Sequence, residues 1–231
     1  AMQVRSGRGG VHAEAGLASE QLKRLTQVLP KARAEIIAAT EAIIQEAAMA
    51  EMKATPIAEL KDYGASVGPL QSVGFRMVAD LSPHSVRTLL NYRGIGEVTA
   101  SAAIAAYEKF YESARAHVRL LPDPDNRRPS DGRLLVALAK YETLVREVST
   151  RTEEAQIRYV ETGERLQALR AKTRVRDHLF SLGSQADLAR STSQLAAEFR
   201  WVNAEARNLS DYAERLTIDF AEIWKRYAGN A

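Results

Sequence analysis

Three long segments of the chain repeat apolar residues at alternating steps of three and four, and this spacing constrains the fold more than any other feature. The first runs Leu22, Leu25, Leu29, Ala32, Ile36, Ala39, Ile43 and Ala50, with Glu46 as its one breach. The second runs Leu134, Leu138, Tyr141, Val145, Val148, Thr152, Ala155, Tyr159, Thr162, Leu166, Leu169, Thr173 and Phe180. The third runs Leu188, Leu195, Phe199, Val202, Ala206, Leu209, Ala213, Leu216, Phe220, Ile223 and Tyr227. A 3.5-residue period kept this long holds the seam on one side of a helix, and such a helix needs a partner. Aromatics are only 6% and charged residues 26% of the 231 residues, a balance that suits long helices better than a thick core. The expected fold class is all-α, a long antiparallel helical-bundle or coiled-coil stalk with a small head.

Local signals set the boundaries. Residues 1–17 are Gly-rich without periodicity and read as a flexible arm. Ser19 is the expected N-cap of a first stalk helix within 18–55, which Pro30 kinks or splits. Residues 131–231 are expected to hold the other two stalk helices. In "SLGSQAD", Gly183 stops one and Ser184 caps the next, a connection short enough to make them antiparallel neighbours. Each would be roughly 65–75 Å long at ~1.5 Å per residue. Residues 56–118 differ in texture, with short segments and no heptad, and read as the head. The linker 119–130, overlapping "LLPDPDNRRPSDGR" (120–133), is proline-broken and ends on Ser130 as the expected cap of the second stalk helix.

Several chemistries are excluded. The chain has no cysteine, hence no disulfide and no thiolate. His12, His84, His117 and His178 lack a spacing suited to a shared metal. Asp123 and Asp125 fit the first two positions of a calcium loop, but Arg127 takes the third and Leu134 replaces the final glutamate. No Ser/His/Asp signature and no GxxxxGK[ST] loop is present, so no enzyme activity, cofactor or metal is expected. No apolar run approaches the ~18–20 residues of a membrane span and no signal peptide is recognisable. A cytoplasmic location, with association to the bacterial nucleoid compatible, is the expectation. Net charge is +3 and the pI about 9.2, which permits a nucleic-acid partner without demanding one.

Within the head, Ser82-Pro83 is expected to open a helix with proline at its first position. It runs through Val86, Leu89 and Leu90 and breaks at Tyr92-Arg93-Gly94. Gly94-Ile95-Gly96 forms the turn, and a second helix runs from Glu97 to about Tyr111. The glycines permit positive φ and a close approach of another atom. Ile95 points inward as anchor, and the free N–H groups opening the second helix face outward with its dipole. Such an array holds a phosphate without any basic side chain.

The stretch "LLNYRGIGEVTASAAIAA" resembles the helix-hairpin-helix motif of DNA repair and replication proteins. The likeness lies in Leu90 four before the first glycine, the Gly-Ile-Gly core, and the small Ala100 where the helices cross. It implies sequence-independent contact with DNA phosphates by Arg93, Gly94, Ile95, Gly96, Glu97, Val98 and Thr99. Glu97 would act by its backbone alone, and Arg93 would add an ionic contact. "IAELKDYGASVGPLQSVGFRMVADL" (57–81) reads as a poorer copy turning at Gly64–Gly68, so that the pair resembles a tandem domain. Residues 57–133, with "VGFRMVADL" and "YRGIGEVTA", also resemble the accessory region of bacterial Swi/Snf-type or DEAD/DEAH-box helicases. That resemblance implies an attached or associated ATPase motor, this chain being the non-catalytic DNA-binding part.

Charge tempers the expectation. Residues 57–117 hold six cations and six acids, so the hairpin is expected to assist another binding site rather than clamp DNA alone. "RLQALRAKTRVR" (165–176) holds five cations, Arg165, Arg170, Lys172, Arg174 and Arg176, and no acid. It is either a solvated helix surface or a patch that steers nucleic acid. Trp201 and Trp224 are expected to pack in or beside the third seam. The alternative function, from another class, is a coiled-coil scaffold whose head docks a protein and whose stalk pairs with itself or a partner, which leaves the oligomeric state open.

Overall fold

A computed structural model describes residues 2–120, 129–176 and 185–228. They form α1 (Met2–Thr26), α2 (Val28–Ala54), α3 (Val67–Ser72), α4 (Val86–Leu89), α5 (Glu97–His117), α6 (Pro129–Leu144), α7 (Thr150–Arg176) and α8 (Gln185–Ala228). Short 3-10 helices lie at Ile57–Tyr63 and Val78–Leu81, and a π-helical turn, Val145–Ser149, joins α6 to α7. Among the described residues, extended pairing is confined to one isolated antiparallel bridge, Pro56–Met77, and no helix is long and apolar enough to cross a membrane. The protein is all-α. Its contacts divide it into two compact units, Ala1–Ile36 with Gly132–Ala231, and Ile37–Asp131.

In the first unit α1, α7 and α8 pack on one another. Arg151 pairs with Glu205 at 2.6 Å, Tyr159 meets Phe199 edge-on at 5.5 Å, and Arg165 pairs with Glu198 at 2.9 Å. Numbers rise on α7 as they fall on α8, so the two helices are antiparallel. Leu22, Leu25, Leu144, Val148, Ala155, Phe199, Val202, Ala206 and Leu209 are buried in one cluster. Each large side chain removed from water there contributes about 1.5–3 kcal/mol. Lys140 is also buried, and its ammonium reaches both carboxylate oxygens of Glu35, at 2.7 and 2.9 Å. Pairing of that kind is what a buried charge requires.

Several expectations are corrected here. Residues 2–17 are not a flexible arm but the first part of α1, with Val11 buried and Ser19 inside the helix. Val11, Ala15, Ala18, Leu22 and Leu25 extend the three-four spacing backwards, and their burial outweighs the roughly 1 kcal/mol that each helical glycine costs. The first helix does split, but at Gln27, three residues ahead of Pro30. Pro30 has no N–H to offer the Thr26 carbonyl. Gln27 instead donates back to the Arg24 carbonyl at 3.1 Å, and Lys31 donates to the Gln27 carbonyl at 3.0 Å. Residues 37–54 of α2 belong to the second unit, whose core takes Ala48 and Met52, so that unit is wider than the 56–118 expected for a head.

The second seam changes phase at the π-helical turn. Leu144 and Val148 are each 1% exposed, whereas Val145 and Leu138, expected on the seam, are 38% and 43% exposed. A π turn absorbs one extra residue, so the buried line steps from Leu144 to Val148 and leaves Val145 outside. The third seam is buried from Leu195 to Ala213, but Ile223 is exposed. Ser130 does not cap α6. Pro129 takes the first helical position, and Ser130 follows it, buried, with its hydroxyl lacking a hydrogen-bond partner. Asp123, Asp125 and Arg127 in the linker, and His178, Phe180, Gly183 and Ser184 around the expected helix connection, lie outside the described residues.

In the second unit Met52, Ile57, Leu60, Leu70, Phe75, Val78, Leu81, Leu89, Ile95, Ala100, Ala103 and Ala106 form one buried cluster. Hydrogen bonds from Ile57 N–H to the Arg76 carbonyl (2.8 Å) and from Val78 N–H to the Thr55 carbonyl (3.0 Å) tie its short elements together.

Candidate nucleic-acid interface

The candidate hairpin is built by α4, a turn, and α5. α4 does not open at Ser82-Pro83, which sit in the turn after Val78–Leu81. It opens at Ser85, whose Oγ accepts from Thr88 N–H at 3.4 Å while Thr88 Oγ1 accepts from Ser85 N–H at 2.7 Å. This reciprocal cap fixes the entry of a helix only one turn long. The apolar residue that α4 sends into the core is consequently Leu89, fully buried, and not Leu90, which is 44% exposed.

After α4 the chain turns through Tyr92 and Arg93. Gly94 has φ +95°, in the left-handed region that disfavours any side chain. Ile95 donates its N–H to the Tyr92 carbonyl at 3.1 Å and is buried as the anchor. Gly96 is extended (φ −90°, ψ 171°) and N-caps α5 without a side chain. Its carbonyl accepts the first intrahelical bond, from Ala100 N–H at 2.9 Å. The N–H groups of Glu97, Val98 and Thr99 therefore precede the intrahelical ladder, at the positive end of a 21-residue helix. Arg93, Gly94, Gly96, Glu97 and Val98 are exposed and Thr99 is half-buried, so six of the seven expected contact residues reach solvent at one turn. Ala100, Ala103 and Ala106 are fully buried, which lets α5 approach the core closely.

The two glycines differ in kind. A Cβ on Gly96 meets no atom within 4 Å, and its φ is ordinary for an L residue, so nothing in the chain's own packing requires glycine there. At Gly94 the space is equally open but the positive φ requires glycine.

The earlier hairpin turns at Gly64-Ala65-Ser66 rather than across Gly64–Gly68; Gly68 lies inside α3. Its backbone follows the other turn in its positive-φ glycine and extended third residue, although Ala65 donates five residues back where Ile95 donates three. Gly64 has φ +94°, Ala65 is buried and donates to the Leu60 carbonyl at 3.0 Å, and Ser66 is extended at the start of the next helix. Ser66 stands where Gly96 stands, so a Gly-apolar-small pattern, wider than Gly-apolar-Gly, would have located the repeat. α3 is six residues long, against 21 for α5.

Further on, Asp80 accepts hydrogen bonds from the N–H groups of Met77 (2.9 Å) and Arg76 (2.8 Å). The Met77 and then the Arg76 bond hold its carboxyl below the ordinary carboxylate range. Arg115 is committed elsewhere, to Glu41 at 2.8 Å and over the Tyr111 ring at 5.6 Å. An open cleft of about 630 Å³ in the same unit is lined by Glu51, Glu59 and Asp62 beside Tyr63 and Phe110, the wrong sign for phosphate.

The basic run of α7 does not present five free cations. Arg165 is neutralised by Glu198, whose other oxygen lies 2.9 Å from the Thr162 hydroxyl, and Arg170 is hydrogen-bonded to His12. Lys172 is exposed; the side chains of Arg174 and Arg176 lie outside those described. Trp201 is 40% exposed under the Arg158 guanidinium at 4.2 Å, and Trp224 lies under Arg133 at 5.5 Å, so both tryptophans flank the seam. Compared with protein-family models, curated proteins and solved structures, the chain matches none.

Proposed function

We propose that residues 37–131 act as a tandem helix-hairpin-helix head that binds the DNA backbone without reading sequence. In this reading the chain is the non-catalytic accessory part of a larger DNA-processing ATPase, and the packed helices of the other unit are its stalk. The observation that carries the reading is Gly96. A glycine that neither backbone strain nor internal packing demands leaves bare N–H groups at a helix N-terminus, where a phosphate oxygen reaches them at hydrogen-bond distance. Arg93 supplies the adjacent cation, and the Glu97 carboxylate points to solvent beside it.

The charge balance sets the strength. Each phosphate neutralised by a cation contributes about −0.9 to the slope of log affinity against log salt, so Arg93 acting nearly alone gives a shallow slope. Fluorescence anisotropy with duplex, forked and single-stranded DNA across salt tests the proposal. Binding to none of the three at low salt contradicts it. The protein-docking alternative is favoured by Val98, 84% exposed, and Leu90 beside the same turn. It predicts that no DNA binds and that a protein partner is lost on polar substitution of Val98.

A further inference from the structure

The outer face of α6 and α7 carries a stripe that the hairpin reading leaves unused. Leu135 lies nine residues before the buried Leu144, and Ile157 nine after the buried Val148, in each case about two and a half turns away and so opposite the core. Leu138 and Val160 extend the two positions by three residues each. The four are 48%, 43%, 58% and 56% exposed in the order Leu135, Leu138, Ile157, Val160. The π-helical turn keeps them on one line. By absorbing one residue it holds the buried faces of α6 and α7 in register, and with them the faces opposite.

Charge indicates what covers this stripe. Glu142, Glu153 and Glu164 interleave with the apolar pairs, about three turns apart, and all are exposed. Glu154 and Glu161 flank them. Among the described residues none of these five has an ion-pair partner, and the cations alongside are engaged elsewhere, Arg146 with Glu147 at 2.9 Å, Arg158 over the Trp201 ring at 4.2 Å and Arg165 with Glu198 at 2.9 Å. This acidity stands in a chain of net charge +3. A second copy laid on the stripe would set glutamates against glutamates, which is unfavourable. An apolar helix face flanked by Lys and Arg satisfies both the pairs and the acids.

We propose that the outer face of α6–α7 docks an amphipathic, Lys/Arg-flanked helix of a partner protein. The proposal is independent of DNA binding by the hairpin. It is tested with the full chain and two labelled helical peptides sharing one Leu/Ile face, one flanked by Lys and Arg, the other by Glu. The basic peptide binds at least about tenfold tighter than its acidic twin, and the preference shrinks as salt rises. Ile157→Ser with Val160→Ser weakens it at least about fivefold, and Glu153→Lys with Glu164→Lys at least about tenfold, with helical content unchanged because all four side chains are exposed. Equal affinity for the two peptides, no binding of the basic one, or affinity untouched by both double variants overturns the proposal. So does a dimer of the chain that Ile157→Ser with Val160→Ser dissociates, since that would assign the face to a second copy.

Discussion

At Gly94 the folded backbone sits at φ +95°, whereas at Gly96 φ is −90° and a Cβ meets no atom within 4 Å, leaving only the modest N-cap preference for glycine over alanine. Gly94→Ala is expected to cost about 1–2 kcal/mol in urea unfolding, and Gly96→Ala less than about 1 kcal/mol. Equal losses would mean that Gly96 is also a packing residue. Asp80 gives a pH-dependent counterpart. Its carboxyl is held below the ordinary range by the Met77 and Arg76 N–H groups, so its stabilisation is present above the unfolded-state value and is lost as pH falls through the folded one. The Tm of the protein should exceed that of Asp80→Asn at pH near 7, and the gap should shrink as acid protonates the Asp80 carboxyl. A gap that widens in acid would contradict this assignment. At this scale the sequence was legible for Gly94, Ile95 and the open N–H groups. It was not legible for the core residue of α4, because Leu89 and Leu90 are adjacent and only the Ser85–Thr88 cap decides which one faces the core.

Among the elements, the three-four spacing located long helices and the short connection "SLGSQAD" the antiparallel pairing of α7 with α8, but neither gave the phase of α6. Leu144 and Val145 are both apolar, and a period cannot say which is inside when the π-helical turn Val145–Ser149 absorbs one residue. Leu144→Ala is accordingly expected to cost about 2–5 kcal/mol, and Val145→Ala less than about 0.5 kcal/mol, by chemical denaturation. The reverse order would mean that the seam runs uninterrupted and that the π-helical turn is misplaced. α1 shows the opposite limitation. Its glycines argued for an arm, yet Val11 and Ala18 lie on a seam that tertiary burial enforces over local propensity. The earlier hairpin was read from the sequence, but its turn was drawn too long, to Gly68, for a third reason: Ser66 stands in place of a glycine at an extended position that any residue adopts.

For the molecule as a whole, the division at 36/37 and 131/132 was not readable from α2, because one continuous helix gives its first part to one core and its last part to the other. Composition changes mark where a pattern stops, whereas compact units are defined by which side chains meet. The two proposed surfaces, a backbone-phosphate hairpin in one unit and an acidic-apolar stripe in the other, call for different partners and fail separately. The central claim is most directly tested by anisotropy of the full chain and its Gly96→Ala variant with a labelled duplex at low salt. The account predicts a Kd on the order of 1–100 µM, indifferent to base sequence and weakened at least about fivefold in the variant, which remains folded with a stability loss under about 1 kcal/mol. No binding by the parent chain, or equal affinity in the two, would contradict it.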